Sequence, residues 1–594
     1  MSAAGAIQNG ATTLVAPRQT WVFAEPHPQQ AESLAAAARI PLVLAELLIA
    51  RGINSASEAF AFLNPELTHL HDPLLMLGMK TAVERVEAAI ASRDPILLYG
   101  DYDVDGTTAV VLLKTAIEML GGAVRFHVPH RLREGYGLQS AVLESAFAEG
   151  VRLVITVDTG MRAFAEAETA RRIGLDLIIT DHHLSKSDDS VPAALAILNP
   201  NQHACGYPEK SLCGAAIALK LAQALLERHD ADRTRDKLLP SFLKMAAIAT
   251  IADAVPLRGE NRVIAALGLR ELRRPVGVGL RALFAAAQID PASKPLTGYD
   301  IAFRLAPRIN AAGRMNVASD IIELFCTRDA SRATDLAGKL ESLNRERRDT
   351  EARALSIIET RLATDPDLAA ARLVVVDGDG WHRGIIGILA SRVVDRTAKP
   401  ALVISIEDGV AHGSGRSVDG FPLLSAIETC ADLFTRFGGH AFAVGFALPA
   451  ASLPELKRRL AECAAERLAT REPLRVLQIH AELPLHQITS VLVGWLRKLE
   501  PLGHGNPEPI FVARNARLVA PPRIMKDRHV RLELAQGDHA AGTRAVGWDM
   551  AARAAELSLT QSSQVDVAYR IRENLHPDFG GLEIEIAGLR PAIA

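Results

Sequence analysis

Acidic residues and histidines follow apolar runs in the first half of the chain. The run ILLY precedes GDYDVDG, VRLVITV precedes DTG, LDLIIT precedes DHH, and the apolar stretch MAAIATIA ends at an aspartate. These segments supply eight candidate ligands and catalytic groups: Asp101, Asp103, Asp105, Asp158, Asp181, His182, His183 and Asp253. Carboxylates with one or two imidazoles suit Mn²⁺ or Mg²⁺ better than zinc. The pattern therefore predicts a site for one of these two cations.

A parallel sheet would bring these residues together. Between Pro95 and Pro200, short apolar runs alternate with segments of helical length and period, such as TTAVVLLKTAIEML. Continuous apolar strands separated by helices are typical of a parallel sheet covered on both faces. Ligands of such sheets bind outside the carboxyl ends of the strands. We therefore predict an α/β, doubly wound domain with the acidic residues along one edge.

Each motif alone is a weak indication of function. GDYDVDG could be an acidic turn, DTG could cap a helix, and DHH could be an ordinary polar loop. The three motifs follow three strands of one predicted sheet, and three acidic strand ends would rarely occur together by chance. The combined pattern therefore favours a shared site.

The rest of the chain divides into further domains. The charged segment ATDLAGKLESLNRERRDTEARALSIIETRLA indicates a solvated connecting helix, and the runs LVVVD and ALVIS indicate a second α/β unit. Beyond Pro473 the runs are short and β-like, which predicts a small closed sheet such as an OB-fold. We expect a tail and helical extension, the first α/β domain, the connecting helix, the second α/β domain and the OB-like barrel over residues 1–85, 86–330, 331–366, 367–472 and 473–594.

Composition leaves function open. With 594 residues the chain is too long for one hydrophobic core, and 49% apolar with 23% charged residues is ordinary for a globular protein. The net charge of −3 shows no basic excess of the kind that many nucleic-acid binders have. Five scattered cysteines fit a reducing compartment, and neither a signal peptide nor an 18-residue apolar run is present. We expect a cytoplasmic protein that does not enter a membrane.

Two glycine-rich segments could bind phosphate. In GSGRS we expect Ser414, Arg416 and Ser417 to lie in a loop whose amides and guanidinium surround a phosphate. In FGGHAFAVGF, Gly439 and His440 offer a similar approach. The alternative for GSGRS is a surface turn. The first domain adds four substrate-binding candidates: Arg133, Arg308, Asn310 and Arg314.

The motifs resemble a known superfamily. GDYDVDG, VDTG, TDHH and ADAVPL are similar to the successive motifs of the DHH phosphoesterases. FRLAPRINAAGR, GWHRGIIGILASR, GSGRS and FGGHAFAVGF resemble those of the RecJ single-strand-specific exonucleases. The likeness runs in order from about Trp21 to Trp548.

The resemblance implies a two-cation mechanism, with Mn²⁺ or Mg²⁺ holding the attacking and leaving oxygens. Asp103 would hold one ion and Asp158 would bridge the two. The other ion would be held by Asp105, His182 and Asp253. His183 would contact the scissile phosphate and Asp181 would orient an imidazole. The role of Asp101 stays open, because the pyrophosphatase branch of the superfamily instead carries a histidine at the position of Tyr99.

The resemblance also implies the activity: 5′→3′ hydrolysis of single-stranded DNA to 5′-mononucleotides, in DNA repair and recombination. We expect single-stranded DNA, a single-strand-binding protein and a helicase as partners, and a monomeric enzyme. One alternative is a DHH enzyme for short RNA or cyclic dinucleotides, although such relatives usually end before a region equivalent to that beyond Pro473. The other is a non-catalytic replication scaffold, although such relatives lose several ligands.

The predicted barrel adds a surface for the strand. Basic residues in it could follow phosphates: Lys526, Arg528, His529 and Arg531. Phe511, Trp548 and Tyr569 could stack on bases, but we expect each of them to pack in the core.

Overall fold

A computed structural model describes residues 18–130, 137–185, 189–274, 277–314, 317–469, 472, 474–537, 542–574 and 580–592. The chain forms two compact units. The first contains Asn344–Leu477 with the segment that ends at Val22, and the second contains Phe23–Leu343 with Gln478–Ala594. In the described part of the chain, no helix combines the length and the apolar character needed to cross a membrane.

The N-terminal region is helical after one short strand. Its elements are β1 (Arg18–Phe23), α1 (Pro28–Ala38), α2 (Leu42–Ile49), α3 (Ala56–Leu63) and α4 (Met79–Ser92). Helix α3 begins at a capping box in which Ser55 and Glu58 satisfy each other's backbone amides.

A five-stranded parallel sheet follows. Its elements are β2 (Ile96–Gly100), α5 (Val104–Met119), β3 (Val124–His127), α6 (Ser140–Ala148), β4 (Leu153–Val157), α7 (Phe164–Ile173), β5 (Asp176–Thr180) and β6 (Ala196–Leu198). The strand order is β3-β2-β4-β5-β6, with parallel pairing throughout. Leu98 and Ile155 enter the core on one face, whereas Tyr99 and Val154 enter the core on the other. The buried strands on both faces confirm the predicted doubly wound domain.

Helices complete this domain: α8 (Gly214–His229), α9 (Ala231–Arg233), α10 (Leu239–Ala252), α11 (Gly259–Leu272), α12 (Val278–Ala286), α13 (Ala306–Arg314) and α14 (Ser319–Cys326). Two π-helical turns, Thr234–Leu238 and Asp300–Leu305, run into α10 and α13. The apolar stretch that ends at Asp253 is helix α10, so this acid comes from a helix end and not from a strand.

The long helix α15 (Ala330–Thr364) leads into the second α/β domain. The elements there are α16 (Pro366–Ala370), β7 (Val374–Asp379), α17 (Ile386–Thr397), β8 (Ala401–Glu407), β9 (Val410–Arg416), α18 (Leu423–Glu428), β10 (Arg436–His440), β11 (Ala443–Pro449), α19 (Leu453–Arg467) and β12 (Leu474–Ile479). The sheet order is β10-β11-β9-β8-β7, with only β7 and β8 parallel, and β12 pairs with β1.

The prediction of a loop at GSGRS is wrong. Ser414 and Arg416 lie on strand β9, and only Ser417 follows it. The glycines of this segment permit a strand here because they fit against bulky neighbours. A Cβ on Gly413 would lie 2.0 Å from Phe446 Cζ, and one on Gly415 would lie 2.4 Å from Leu402 Cδ2.

The C-terminal region is a closed barrel. It contains β13 (Ala481–Glu482), α20 (Ser490–Leu496), β14 (Phe511–Leu518), β15 (Arg523–Met525), β16 (His529–Ala535), β17 (Thr543–Gly547), α21 (Ala551–Glu556), β18 (Gln564–Asn574) and β19 (Gly581–Pro591). The strand order is β13-β14-β18-β19-β17-β16-β15, and an additional β14–β16 pairing closes five strands into a ring. Such a ring confirms the predicted OB-like barrel.

The barrel and the N-terminal helices share one apolar core, which contains Leu44, Leu47, Phe511 and Tyr569. A buried arginine of α11 joins this assembly to the first α/β domain. Arg262 donates to four backbone carbonyl oxygens, at 2.8–3.0 Å: those of Phe62, Lys498, Leu499 and Glu500. The extension, the barrel and the parallel-sheet domain are therefore parts of one packed unit, a relationship that the sequence did not reveal.

Candidate metal centre

The acidic residues after β2 occupy the start of α5. Asp103 caps this helix, with its Oδ1 accepting the Gly106 amide at 3.0 Å. Asp105, in the first turn, is buried and accepts the amides of Gly214 and Ala215 at 2.6 and 2.7 Å. Those amides are at the N-terminus of α8, where a carboxylate is favoured by the helix dipole. The side chains of Asp103 and Asp105 are thus fixed by two different helix ends.

His182 lies among three carboxylates. Its Nε2 is 3.2 Å from Asp158 Oδ1 and 3.9 Å from Asp105 Oδ2, and its Nδ1 is 3.9 Å from Asp253 Oδ2. Asp158 follows β4 and Asp253 follows the last residue of α10. The sheet edge and a helix end therefore supply this group together.

Three sets of potential ligand atoms each lie within 4.8 Å of one another. They are Asp101, Asp103 and Asp158; Asp158, His182 and His183; and Asp105, His182 and Asp253. Asp158 belongs to two sets, and so does His182. All eight residues that the sequence nominated for this site except Asp181 thus belong to one cluster of possible ligands.

The cluster carries excess negative charge. Burial, followed by repulsion from Asp105, raises the pKa of both Asp103 and Asp158. The same two causes raise the pKa of Asp253 to about 8. Among the described residues, the buried Asp158 Oδ1 has no hydrogen-bond donor. These oxygen-rich side chains are held together although their negative charges repel one another. Mn²⁺ and Mg²⁺ prefer such ligands, so the cluster fits either cation.

Asp181 holds the neighbouring imidazole. Its Oδ1 accepts the backbone amides of His182 and His183 at 2.8 and 3.1 Å and lies 2.6 Å from His183 Nδ1, while its Oδ2 accepts the Met161 amide at 2.8 Å. Although burial alone would raise the pKa of Asp181, the His183 contact lowers it. Burial would lower the pKa of His183, but Asp181 outweighs it and raises the value to about 9. His183 is therefore oriented by Asp181, which also raises its pKa.

Three glycines in this region were missed by the sequence reasoning. A Cβ on Gly214 would lie 2.6 Å from Asp158 Cβ, one on Gly106 would lie 2.6 Å from the Asp101 carbonyl oxygen, and one on Gly313 would lie 2.2 Å from that of Tyr102. Each glycine lets two backbone segments meet beside the acids. The glycines of GDYDVDG and INAAGR could have been suspected from their motifs, whereas nothing around Gly214 marks it.

The first-domain substrate candidates have different environments. Asn310 is next to the cluster, since its Oδ1 accepts the Val104 amide at 3.3 Å. Arg308 pairs with Glu341 of α15 and donates to the Arg304 carbonyl. Arg314 ends α13. Arg133 lies outside the described residues.

The second domain contains a separate cationic site. Arg416 is half-buried, and its guanidinium donates to Ser414 Oγ at 3.3 Å and to the Gly415 carbonyl at 2.8 Å. No carboxylate pairs with Arg416 in the described part of the chain. Burial accordingly lowers the pKa of Arg416 from its usual value, with no acid to oppose it. A partly desolvated cation without an acid is suited to an external anion.

Helix α17 begins beside this cation. A Cβ on Gly387, the second residue of the helix, would lie 3.2 Å from both Arg416 Nη2 and Ser414 Oγ. Gly387 belongs to the motif GWHRGIIGILASR, whose sequence alone indicates no role for this residue. The Ser417 hydroxyl already forms a hydrogen bond within its own loop, because it donates to the Phe421 carbonyl oxygen at 2.5 Å. His440 and Gly439 lie on the exposed strand β10.

The barrel residues nominated from the sequence differ in their burial and in their partners. Phe511 and Tyr569 are buried, as predicted, but Trp548 is 55% exposed, so the prediction that it packs in the core is wrong. It follows β17 at the barrel surface, where its ring centroid lies 5.0 Å from that of His529 in an edge-to-face arrangement. Arg528 pairs with Asp549, and His529 accepts the Asp549 amide. Lys526 and Arg531 are exposed.

This fold and centre define a DHH-type phosphoesterase. The sequence matches the DHH family N-terminal domain over residues 95–250, the DHHA1 domain over 367–466 and the RecJ OB domain over 479–587. The chain belongs to the RecJ family, because curated members of it are more than 30% identical over most of its length.

Relatives named single-stranded-DNA-specific exonuclease RecJ include those of Bacillus subtilis and Dickeya dadantii. That of Bacillus subtilis is 36% identical over 88% of this chain, which spans 65% of the relative's length. That of Dickeya dadantii is 35% identical over 83% of this chain and 86% of its own.

Solved structures agree. RecJ of Thermus thermophilus in complex with Mn²⁺ has a TM-score of 0.82 and 29% identity, covering 97% of this chain and 80% of its own. The same protein in complex with Mg²⁺ has a TM-score of 0.77 and 28% identity, covering 97% and 79%.

Proposed function

We propose that this protein is an exonuclease specific for single-stranded DNA, which hydrolyses phosphodiester bonds with two Mn²⁺ or Mg²⁺ ions. The observation that carries the proposal is the carboxylate–imidazole cluster around His182, at the edge of a parallel sheet. Its ligand chemistry suits these cations, and family membership supplies the substrate class. The barrel favours a long single strand, rather than a dinucleotide, as the substrate, because OB-folds follow nucleic-acid backbones.

In this proposal the ligands divide as the three sets of atoms suggest. Asp103 serves one cation position, with Asp101 nearby. Asp105, His182 and Asp253 serve the other, and Asp158 is shared. When bound, such ions lower the pKa of a coordinated water and neutralise charge on the phosphate. The protein need not provide a separate general base.

His183 acts on the substrate rather than on the ions alone. Asp181 fixes its ring and raises its pKa, which favours the imidazole as a cationic donor. A cationic donor can bind a non-bridging phosphate oxygen and balance the charge that develops on it. Asp181 is a positioning residue in this scheme. Asn310 steadies the loop of Asp103 through the Val104 amide.

Polarity is part of the proposal. We assign Arg416 and Ser414 to the 5′-terminal phosphate, because Arg416 is a half-buried cation without an acid and Gly387 lets the start of α17 approach both side chains closely. Ser417, Gly439 and His440 flank this position, and Arg133, Arg308 and Arg314 remain further candidates for phosphates along the strand. Binding of a 5′ end implies 5′→3′ removal of mononucleotides.

We further propose cytoplasmic action as a monomer in DNA repair and recombination. A helicase would supply single strands, and a single-strand-binding protein would accompany them. Exposed Trp548, Lys526 and Arg531 are the proposed contacts of the barrel with the strand.

The test is hydrolysis of single-stranded DNA labelled at the 5′ or the 3′ end, with Mn²⁺, Mg²⁺ or EDTA. We expect labelled mononucleotide at once from the 5′ label, a gradually shortening ladder from the 3′ label, and no cleavage in EDTA. A duplex and a dinucleotide are the comparison substrates. Preference for the dinucleotide, or cleavage that survives EDTA, would contradict the proposal.

A further inference from the structure

Asp253 differs from Asp103 and Asp105 in how its carboxylate is held. Asp103 and Asp105 accept backbone amides at 2.6–3.0 Å, at two helix ends. In the part of the chain that the structure describes, no hydrogen-bond donor contacts the Asp253 carboxylate, and His182 Nδ1 is 3.9 Å from its Oδ2. Repulsion from the neighbouring acids pushes this carboxylate away from the cluster. The position of the Asp253 side chain therefore depends on its backbone.

The backbone directly after Asp253 has an unusual conformation. Asp253 follows the last residue of α10, and Ala254 then has a φ of 56°, in the left-handed region. Alanine rarely adopts this conformation, which persists only where surrounding contacts hold it. The Ala254 amide donates to the Ile251 carbonyl oxygen at 3.3 Å, which is a long hydrogen bond. The turn after α10 therefore needs support from another part of the chain.

This support comes from residues 503–506, between α20 and β14, which we term the barrel loop. His504 Nδ1 lies 2.6 Å from the Ala254 carbonyl oxygen. Because a carbonyl oxygen can only accept, Nδ1 carries the proton and donates it. The carbonyl oxygen of His504 in turn accepts the Leu257 amide at 2.8 Å. His504 thus holds the turn at two points, one residue and four residues after Asp253.

The barrel loop also packs closely on this turn. A Cβ on Gly505 would lie 2.9 Å from Pro256 Cβ, and one on Gly503 would lie 2.8 Å from Leu257 Cδ1. Arg258 Nε donates to the Gly505 carbonyl oxygen at 2.8 Å. Residues 254–258 therefore have no room to shift towards the barrel loop.

The barrel loop is itself fixed. Gly503 and Asn506 exchange backbone hydrogen bonds of 2.9 and 3.1 Å, and Asn506 is fully buried. Asn506 Nδ2 donates to the carbonyl oxygens of Leu499 and Pro501 at 2.8 and 2.9 Å. Asn506 Oδ1 accepts from Arg51 Nε at 2.8 Å. The loop is therefore a rigid support for the turn that follows α10.

We propose that the barrel loop positions Asp253 through His504, so that the C-terminal region completes the cation position that Asp253 shares with Asp105 and His182. This inference rests on the proposed function and extends it by adding His504 as a positioning residue. His504 acts on the cation only through the backbone of residues 253 and 254. Loss of an outer contact of a metal ligand typically weakens metal binding 10–100-fold.

The experiment is calorimetric titration of the full chain with Mn²⁺. We expect His504→Ala to weaken Mn²⁺ binding at one cation position by about tenfold, at the low end of the effect of outer contacts. His504→Phe should behave in the same way, because it keeps a ring but has no donor. His504→Asn should restore the affinity, since its amide can donate from near the position of Nδ1. His203→Ala, at a side chain that is 85% exposed, is the matched control and should bind Mn²⁺ like the wild type.

A double-mutant cycle tests whether His504 acts through Asp253. Asp253→Ala alone should weaken Mn²⁺ binding, and adding His504→Ala to it should cause no further loss, because the ligand that His504 positions is already absent. Thermal melting in EDTA checks the fold of each variant. His504 is exposed, so the melting temperature of His504→Ala should stay close to that of the wild type.

Three results would overturn the positioning role: unchanged Mn²⁺ binding by His504→Ala, a further loss when His504→Ala is added to Asp253→Ala, or no recovery in His504→Asn. Hydrolysis of single-stranded DNA by the wild type in Mn²⁺ is measured separately. Hydrolysis by the wild type together with normal Mn²⁺ binding by His504→Ala would retain the proposed function and refute only the role of His504. No hydrolysis by the wild type would refute the proposed function, whatever the Mn²⁺ titrations show.

Discussion

His182 Nε2 lies 3.2 Å from Asp158 Oδ1, while Nδ1 of the same ring is 3.9 Å from Asp253 Oδ2. One imidazole thus separates a carboxylate of the sheet edge from a carboxylate of the α10 end. Neutral imidazole has one donor and one acceptor nitrogen, so it cannot donate to both acids at once. His182, Asp158 and Asp253 are therefore better placed to bind cations than to hydrogen-bond to one another.

Asp158→Asn should abolish activity without loss of stability. Asp158 is buried and has a φ of 60°, which asparagine tolerates better than alanine. Because the pKa of Asp158 is raised by burial and by nearby acids, its ionisation destabilises the metal-free fold as the pH rises. We expect activity to fall on the order of a hundredfold or more, since even outer contacts of metal ligands matter 10–100-fold.

Calorimetric titration with Mn²⁺ and thermal melting in EDTA test this prediction. The metal-free variant should melt at or above the wild-type temperature. Asp408→Asn is the matched control, because Asp408 also has a positive φ, of 49°, but is exposed. Unchanged Mn²⁺ binding by Asp158→Asn would refute the shared-ligand assignment.

The sheet and most of the centre could be predicted because their causes are local. Buried parallel strands are continuous apolar runs, and their carboxyl ends share an edge. The predicted run ILLY and the observed β2 differ by one residue. Asp101, Asp103, Asp158 and His182 follow from the same rule.

The remaining features depend on contacts distant in sequence. That α10 brings Asp253 to the sheet edge, that Gly214 packs on Asp158 and that β9 pairs through GSGRS all require the neighbouring element. The exposure of Trp548 was missed because aromatic residues usually pack in cores, and its sequence position does not show which side of the barrel it faces.

Arg416→Ala should reduce the preference for a 5′-phosphate. A hydrogen bond to a charged group contributes about 1.5–3 kcal/mol, so binding should weaken by roughly ten- to a hundredfold. The loss should be larger on 5′-phosphate ends than on 5′-hydroxyl ends, with Mn²⁺ affinity unchanged. The ratio of activities on the two ends is the measurement, and Arg458→Ala, an exposed residue paired with Glu455, is the control. An unaltered ratio would move the end-binding site elsewhere.

Trp548→Ala should weaken binding of single-stranded DNA by about tenfold, since base–aromatic stacking contributes ~1–3 kcal/mol. Stability should change little because the ring is 55% exposed. Phe60→Ala, at a 61% exposed position of α3, is the control and should bind normally. Titration of a labelled strand in EDTA measures both. Equal affinities of wild type and Trp548→Ala would remove the barrel tryptophan from the proposed strand path.

Arg262→Met should destabilise the second compact unit. The substitution removes a donor from four carbonyl oxygens, of which that of Leu499 still accepts from Asn506 Nδ2. It also removes a guanidinium 3.7 Å from the Phe62 ring centroid. Because an unsatisfied buried group costs about 1–3 kcal/mol, the free energy of unfolding should fall by at least ~3 kcal/mol. Urea denaturation measures the change. Arg171→Met, at an exposed position, should stay within about 0.5 kcal/mol, and an equally small effect at Arg262 would refute the proposed role.

His480 should make stability pH-dependent below neutrality. Burial, followed by the charge of Arg51, lowers the pKa of His480 to about 4, and its Nδ1 accepts the Ile510 amide at 3.0 Å. The unfolded chain has the ordinary histidine pKa of about 6.5. Between these two values the unfolded state binds more protons, so stability falls as the pH decreases from about 6.5 to about 4.

His480→Asn removes the titration while keeping an acceptor for the Ile510 amide. The denaturation midpoint of this variant, measured in EDTA, should therefore fall less steeply with acid than that of the wild type. Carboxylates titrate in the same range in both proteins, so the difference between the two curves isolates His480. His203→Asn, whose side chain is 85% exposed, should reproduce the wild-type curve. Asparagine does not titrate, so His480→Asn lacks any proton uptake at this position on unfolding. Parallel curves for wild type and His480→Asn would therefore mean that protonation of His480 is not coupled to folding.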